Sequence, residues 1–208
     1  MIYFGFTDLA ASNPRRVVAV PTGQPDLDLG AWARAEAKRT CARGTPEAGL
    51  ELRAFLLRIQ AEAARQTGSA VTLLAFPSRE IPDVHYVLRI DVDEYEDEPR
   101  PALDRLAEEW IEQELEQLRP LVLSAVELAD VEIPAGPARS VHVVIADDER
   151  FTSEQLCIVT LPTSYDTVAV TFSAGTSDPN LGGSMCEVLT LLAESFEVIG
   201  VEPAGPSR

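Results

Sequence analysis

Two periodicities alternate along the chain. Leu52, Phe55, Leu56, Ile59 and Ala63 recur at three- and four-residue steps, the spacing of one helix face. Thr45-Pro46 supplies a capping residue with proline at the first helical position, so this helix is expected to run to about Gln66, stop at Gly68 and bury that stripe. A preceding helix, about Leu29 to Ala42, follows the Pro/Gly/Asp loop Pro21–Asp28. Ile2–Phe6 and Arg16–Val20 read as short strands separated by a turn region around Asp8, Asn13 and Pro14. Val71–Phe76 and Val84–Val92 read as two more, joined by Pro77–Asp83. In the second, Val84, Tyr86, Leu88, Ile90 and Val92 alternate with His85, Val87, Arg89 and Asp91, the pattern of a half-buried strand.

The period returns to helical after Pro101, where Leu103, Leu106, Trp110, Ile111, Leu115 and Leu118 form an apolar stripe that Pro120 ends. Strands are expected at Leu121–Ile133, Ser140–Ala146, Glu154–Leu161 and Asp166–Ser173. The turns between them are Pro134–Pro137, Asp147–Glu149 and Pro162–Tyr165. A last helix is expected from Met185 to about Phe196, with Ser184 and Glu187 spaced as a capping box. Successive strands with short polar turns predict antiparallel pairing. The fold class is therefore α+β, an antiparallel sheet of about six strands packed with helices. Residues 1–208 are expected to form a single domain, with 1–68 as an N-terminal elaboration of strands and two helices and 69–208 as the main sheet.

Charge changes this picture in one place. The formal net charge is −17, and Asp91–Glu116 holds twelve acids against Arg100 and Arg105, a local balance of −10. The acids lie at a strand end (Asp91, Asp93, Glu94, Glu96, Asp97, Glu98) and along the following helix (Asp104, Glu108, Glu109, Glu112, Glu114, Glu116). Like charges at i,i+4, such as Glu108/Glu112, cost about a few tenths of a kcal/mol each, so stability alone does not favour the pattern. A sequence pI near 4.4 disfavours nucleic acid and anionic membranes as partners and favours a protein with a basic surface. Residues 15–66 are mildly cationic, with nine bases and six acids. That contrast leaves room for homo-oligomers in which this region meets the acidic segment of a neighbour.

Candidate chemistry is sparse. Cys41, Cys157 and Cys186 fit neither a disulfide framework nor a zinc spacing. His85 and His142 each lack a Cys or carboxylate at ligand spacing along the chain. Asp91–Glu98 has the carboxylates of a calcium loop but not its glycine or closing glutamate. The Gly175–Ser184 loop lacks the lysine of a phosphate loop. No catalytic residue, metal or cofactor is assigned. The start of the chain has no basic n-region or long apolar h-region, which points to a cytoplasmic protein, and the shortage of Lys (Lys38 alone against sixteen Arg) is a high-GC codon signature.

Ile133-Pro-Ala-Gly136-Pro-Ala-Arg139, Leu156–Pro162, Val168-Ala-Val-Thr-Phe172-Ser173 and the closing Glu194-Ser195-Phe196 resemble a group of uncharacterised, actinobacterial-type proteins of about 200 residues. As a succession they are similar to Mog1/PsbP-like domains, over roughly residues 120–200. The resemblance implies a strand-rich fold closed by a helix, and a non-enzymatic accessory role: an adaptor, secretion-associated, or an immunity protein that inhibits a toxin. The functional expectation is protein binding through Glu94, Tyr95, Glu96, Asp97, Glu98, Glu108, Glu109 and Glu112. The rival class is a small hydrolase, which needs a histidine with a carboxylate in hydrogen-bond reach.

Overall fold

The computed structural model describes residues 2–6, 17–67, 71–81, 85–95, 99–117, 122–146, 151–178 and 180–201. In chain order the elements are β1 (Ile2–Phe6), β2 (Val17–Ala19), α1 (Leu29–Thr40), α2 (Glu47–Thr67), β3 (Val71–Ala75), β4 (Tyr86–Glu94) and α3 (Leu103–Gln117). They continue with β5 (Val122–Ile133), β6 (Gly136–Ala146), β7 (Phe151–Thr160), β8 (Val168–Thr176), α4 (Gly182–Glu194) and β9 (Phe196–Val201). Seven strands make one sheet in the order β2-β3-β4-β8-β7-β6-β5, antiparallel at every pairing, one strand more than the sequence pattern predicts. The expected Asp8–Pro14 turn, the Gly68 stop and the Asp147–Glu149 turn lie outside the described residues.

Cross-strand register fixes the two faces. Leu74, Val87, Gly175, Gln155, Val143 and Val126 are successive partners and share one face, because residues opposite each other on a ladder point the same way. Leu73, Leu88, Ala174, Leu156, His142 and Glu127 form the adjacent row and share the other. On the first face, α1 and α2 cover Val18, Leu74 and Phe76, and α3 covers Val141, Val143, Ile145, Cys157 and Val159. On the second, α4 lays Met185, Leu189 and Leu192 over Leu88, Ile90, Val170 and Phe172. Phe172 also meets Phe196 edge-on at a centroid distance of 5.2 Å.

Local sequence explains the joints. Asp28 caps α1, its carboxylate accepting from the Gly30 and Ala31 amides at 2.8 and 3.0 Å. The β5–β6 hairpin turns through Pro134-Ala135 into Gly136, where φ is +153° and a Cβ would sit 2.6 Å from the Leu161 carbonyl oxygen. Glycine is required there by close approach.

Three expectations are corrected. First, α4 starts at Gly182, so Ser184 is inside the helix and is not its cap; the N-cap is Leu181, with no side-chain cap bond. The Ser184 hydroxyl hydrogen-bonds Tyr86 instead. Second, Phe196 opens a strand, β9, which pairs with β1 outside the main sheet. Third, the α2 stripe faces outward: Leu52, Phe55 and Ile59 are 41%, 50% and 42% exposed. The buried face is Arg53, Ala54, Leu57, Ala61 and Ala64. Arg53 accounts for this choice. Its guanidinium lies 4.3 Å from the Phe76 ring centre, and Nη2 donates to the Ser78 and Ile81 carbonyls at 2.9 and 2.7 Å. A buried cation is tolerable only with such partners, and they exist only under this face.

Leu57→Ala is therefore expected to cost about 2–5 kcal/mol, whereas Leu52→Ala and Ile59→Ala should each cost under about 1 kcal/mol. Urea denaturation of the three variants checks this, and the reverse ranking would place the other face of α2 against the sheet.

Candidate functional site

The acidic edge is built by β4, β8 and α3. The β4–β8 ladder sets Asp91 opposite Thr171, Asp93 opposite Ala169 and Glu94 opposite Val168, and the Tyr95 amide extends it to the Thr167 carbonyl at 2.7 Å. Asp91, Asp93 and Glu94 lie in extended strand and do not themselves curl around a cation in the manner of a calcium loop. On α3, Leu103, Leu106, Trp110 and Ile111 face the sheet and leave Glu108 and Glu112 exposed. The nearby arginines are already engaged. Arg105 pairs with Glu109 at 2.8 Å, and Arg139 bridges Asp104 and Asp130. Arg100 donates to the Tyr165 and Val168 carbonyls at 2.8 and 3.2 Å. Among the described residues, Asp91, Asp93, Glu94, Glu108 and Glu112 form no ion pair.

The end of β4 lies within electrostatic range of α3. Burial raises the Tyr95 phenol pKa, and the charges of Asp93 and Glu109 raise it further. Burial and then Asp91 push the Asp93 carboxyl up. Of the residues expected to bind, Glu94 and Tyr95 stand at the end of the β4 ladder, with Glu94 turned to the α4 face, and Glu108, Glu109 and Glu112 stand on α3, with Glu109 already paired. Glu96, Asp97 and Glu98 lie outside the described residues.

Two further surfaces escaped sequence reasoning. On the face that carries α2 and α3, a cleft of about 440 Å³ is lined by Gln60 of α2 with Arg89, Ser153, Gln155 and Ser173 of the sheet. Arg89 Nε and Ser153 Oγ are buried without a hydrogen-bond partner among the described residues. Beside α1, Arg39, Arg43 and Arg79 line an open basic cleft of about 860 Å³.

On the opposite face, His142, Glu154 and Cys186 converge, with their donor atoms all within 4.8 Å of one another. His142 Nε2 is 2.7 Å from Glu154 Oε1, and its Nδ1 is 3.9 Å from Glu127 Oε2. The chain separations of these residues hide the cluster, because β6 and β7 are joined by ladder register and α4 is laid across them. Burial and the Glu154 charge raise the Cys186 thiol pKa. His85 instead lies against the Phe76 ring, 5.9 Å between centroids.

Among the described residues no helix is long and apolar enough to cross a membrane. No protein-family model matches the chain, and no curated protein matches it in sequence. Among solved structures it is similar to the cyanobacterial PsbP protein CyanoP from Synechocystis, at 13% identity and a TM-score of 0.44, over 63% of this chain and 75% of that one. It is also similar to LpqN, involved in cell envelope biogenesis of Mycobacterium tuberculosis, at 10% identity and a TM-score of 0.41, over 62% of this chain and 70% of that one. Both likenesses are loose, and no family, activity or partner passes to this chain through them.

Proposed function

We propose that the protein is a non-enzymatic accessory or adaptor protein that captures a protein partner with a basic surface. The outward face of α2 carries this reading. Leu52, Phe55 and Ile59, at i, i+3 and i+7, form an apolar stripe directly opposite the helix face that packs on the sheet. Fully burying such a side chain contributes about 1.5–3 kcal/mol, a gain the free chain leaves unused and a partner can take up. Asp91 and Asp93 of β4 and the unpaired acids of α3, on the same side of the sheet as α2, set the sign of that partner. Their field favours Lys and Arg and speeds encounter, while apolar anchors set how long the complex lasts. Tyr95, with an apolar ring and a polar tip, suits the rim between them.

An immunity or inhibitor role is the tight-binding form of the same surface. The cytoplasmic setting and the link to secretion remain parts of this proposal. The hydrolase reading has one observation in its favour, the Glu154 carboxylate 2.7 Å from His142. Against it, the raised pKa of Cys186 keeps the neighbouring thiol protonated and weak as a nucleophile.

Two outcomes test the proposal. Capture from native lysate should yield a stoichiometric partner that salt releases. Phe55→Ser should weaken it by about 2 kcal/mol, roughly 30-fold, and Glu108→Lys/Glu112→Lys should slow association, both with unchanged melting. Retention of the partner by both variants, or a chain that associates only with itself, would overturn the reading.

The acidic edge also predicts a pH dependence. Folding raises the Asp93 pKa, so the folded chain holds that proton more tightly, and the wild type loses stability from this group as pH rises through the folded value. Asp93 reaches solvent, so screening keeps the effect small. Asp93→Asn should gain about a few tenths of a kcal/mol at neutral pH, a gain that fades in acid below the carboxylate range. Urea midpoints at the two pH values check it, and a loss at neutral pH would reveal a cation beside Asp93.

A further inference from the structure

The face of the sheet under α4 carries charges that the partner-binding reading does not use. His142 on β6, Glu154 on β7 and Cys186 on α4 each offer a donor atom, and the three atoms lie within 4.8 Å of one another. The side chains of His142 and Glu154 are only 28% and 14% exposed. No Lys or Arg among the described residues pairs with Glu154 or Glu127. A partly buried carboxylate without a cation is costly, and a histidine charged only when protonated is a weak substitute.

We propose that His142 Nε2, a Glu154 carboxylate oxygen and Cys186 Sγ form a three-ligand site for a borderline divalent cation of the zinc class. The donor set decides the class: one nitrogen, one sulfur and one oxygen suit zinc, whereas calcium and magnesium take shells of oxygen. The dimensions fit. Ordinary zinc bond lengths in a tetrahedron put ligand atoms roughly 3.4–3.6 Å apart. The 2.7 Å His142–Glu154 contact would open slightly, and separations near 4.8 Å would close by about 1 Å, within the reach of side-chain torsions on a fixed backbone. The Cys186 thiol gives its proton to solvent as the metal–sulfur bond forms. Three protein ligands leave a fourth position for water or a partner's side chain.

Two features around the cluster support the assignment. Glu127, the ladder partner of His142, stands 3.9 Å from Nδ1, the nitrogen turned away from Glu154. That distance is about 1 Å beyond a hydrogen bond, and closing it by a side-chain torsion of the exposed Glu127 would let the carboxylate accept from the second N–H of a metal-bound imidazole and orient the ring. Gly182, at the start of α4, leaves room for the Glu154 carboxylate; a Cβ there would come within 1.9 Å of Oε2. Gly182→Ala therefore displaces a ligand without deleting it.

The test is titration of the chelator-stripped, fully reduced protein with Co²⁺, followed by displacement with Zn²⁺. The expected result is one ion per chain, the strong visible absorption of tetrahedral cobalt, and a thiolate-to-cobalt charge-transfer band. Cys186→Ser should abolish that band and Cys41→Ser should leave it intact. Glu127→Gln should weaken Zn²⁺ binding about 10- to 100-fold while keeping the spectrum. Circular dichroism on Cys186→Ser and Glu127→Gln, both conservative, separates loss of the site from loss of the fold. Weak uptake of several ions without a charge-transfer band, indifferent to Cys186→Ser, is what the surface acids alone would give, and it would overturn the proposal.

Discussion

The antiparallel ladder between β4 and β8 is the contact on which the rest of the molecule depends. It runs from Val87 opposite Gly175 to Glu94 opposite Val168, and it joins β2–β4 to the meander β5–β8. A one-residue slip would turn Leu88, Ile90 and Val92 away from α4 and drive Arg89 and Asp91 into the apolar layer. Register along this ladder therefore decides which side chains face α2 and α3 and which face α4. The placing of Asp91 and Asp93 on the α2/α3 side follows from it, and the β6–β7 ladder in the same sheet places His142 and Glu154 on the other.

A second constraint comes from one buried charge. Arg53 enters the interior only where the Phe76 ring and the carbonyls of Ser78 and Ile81 can receive it. That arrangement turns the small residues Ala54, Ala61 and Ala64 inward, and the larger Leu52, Phe55 and Ile59 to the surface. Local packing thus produces an outward apolar stripe on the same side of the sheet as Asp91, Asp93 and the acids of α3. Apolar contact and a one-sign field together are what a selective protein-binding surface requires.

Most elements were legible because their signals are local. Alternation in Tyr86–Val92 and the helical spacing of Leu103, Leu106 and Trp110 located β4 and α3, and Pro134 with Gly136 marked the β5–β6 turn. What failed was non-local. α2 offers two apolar faces, and nothing in its own segment says that Arg53 will find partners in the loop before β4. Phe196 continues the helical pattern of α4, and only pairing with β1 makes it a strand. The concentration of acid around Glu108 and Glu112 was visible in composition, but the engagement of Arg139 with Asp104 and of Arg100 with loop carbonyls was not. His142, Glu154 and Cys186 showed no ligand spacing, because ladder register and a helix crossing assemble them.

Backbone hydrogen exchange of the free chain and of its captured complex tests the central claim most directly. If the outward face of α2 and the acidic edge together form the binding surface, slowed exchange on complex formation should concentrate in two segments, Leu52–Ile59 and Asp91–Glu112. Protection confined to α4 and β9, with those two segments unchanged, would contradict the account.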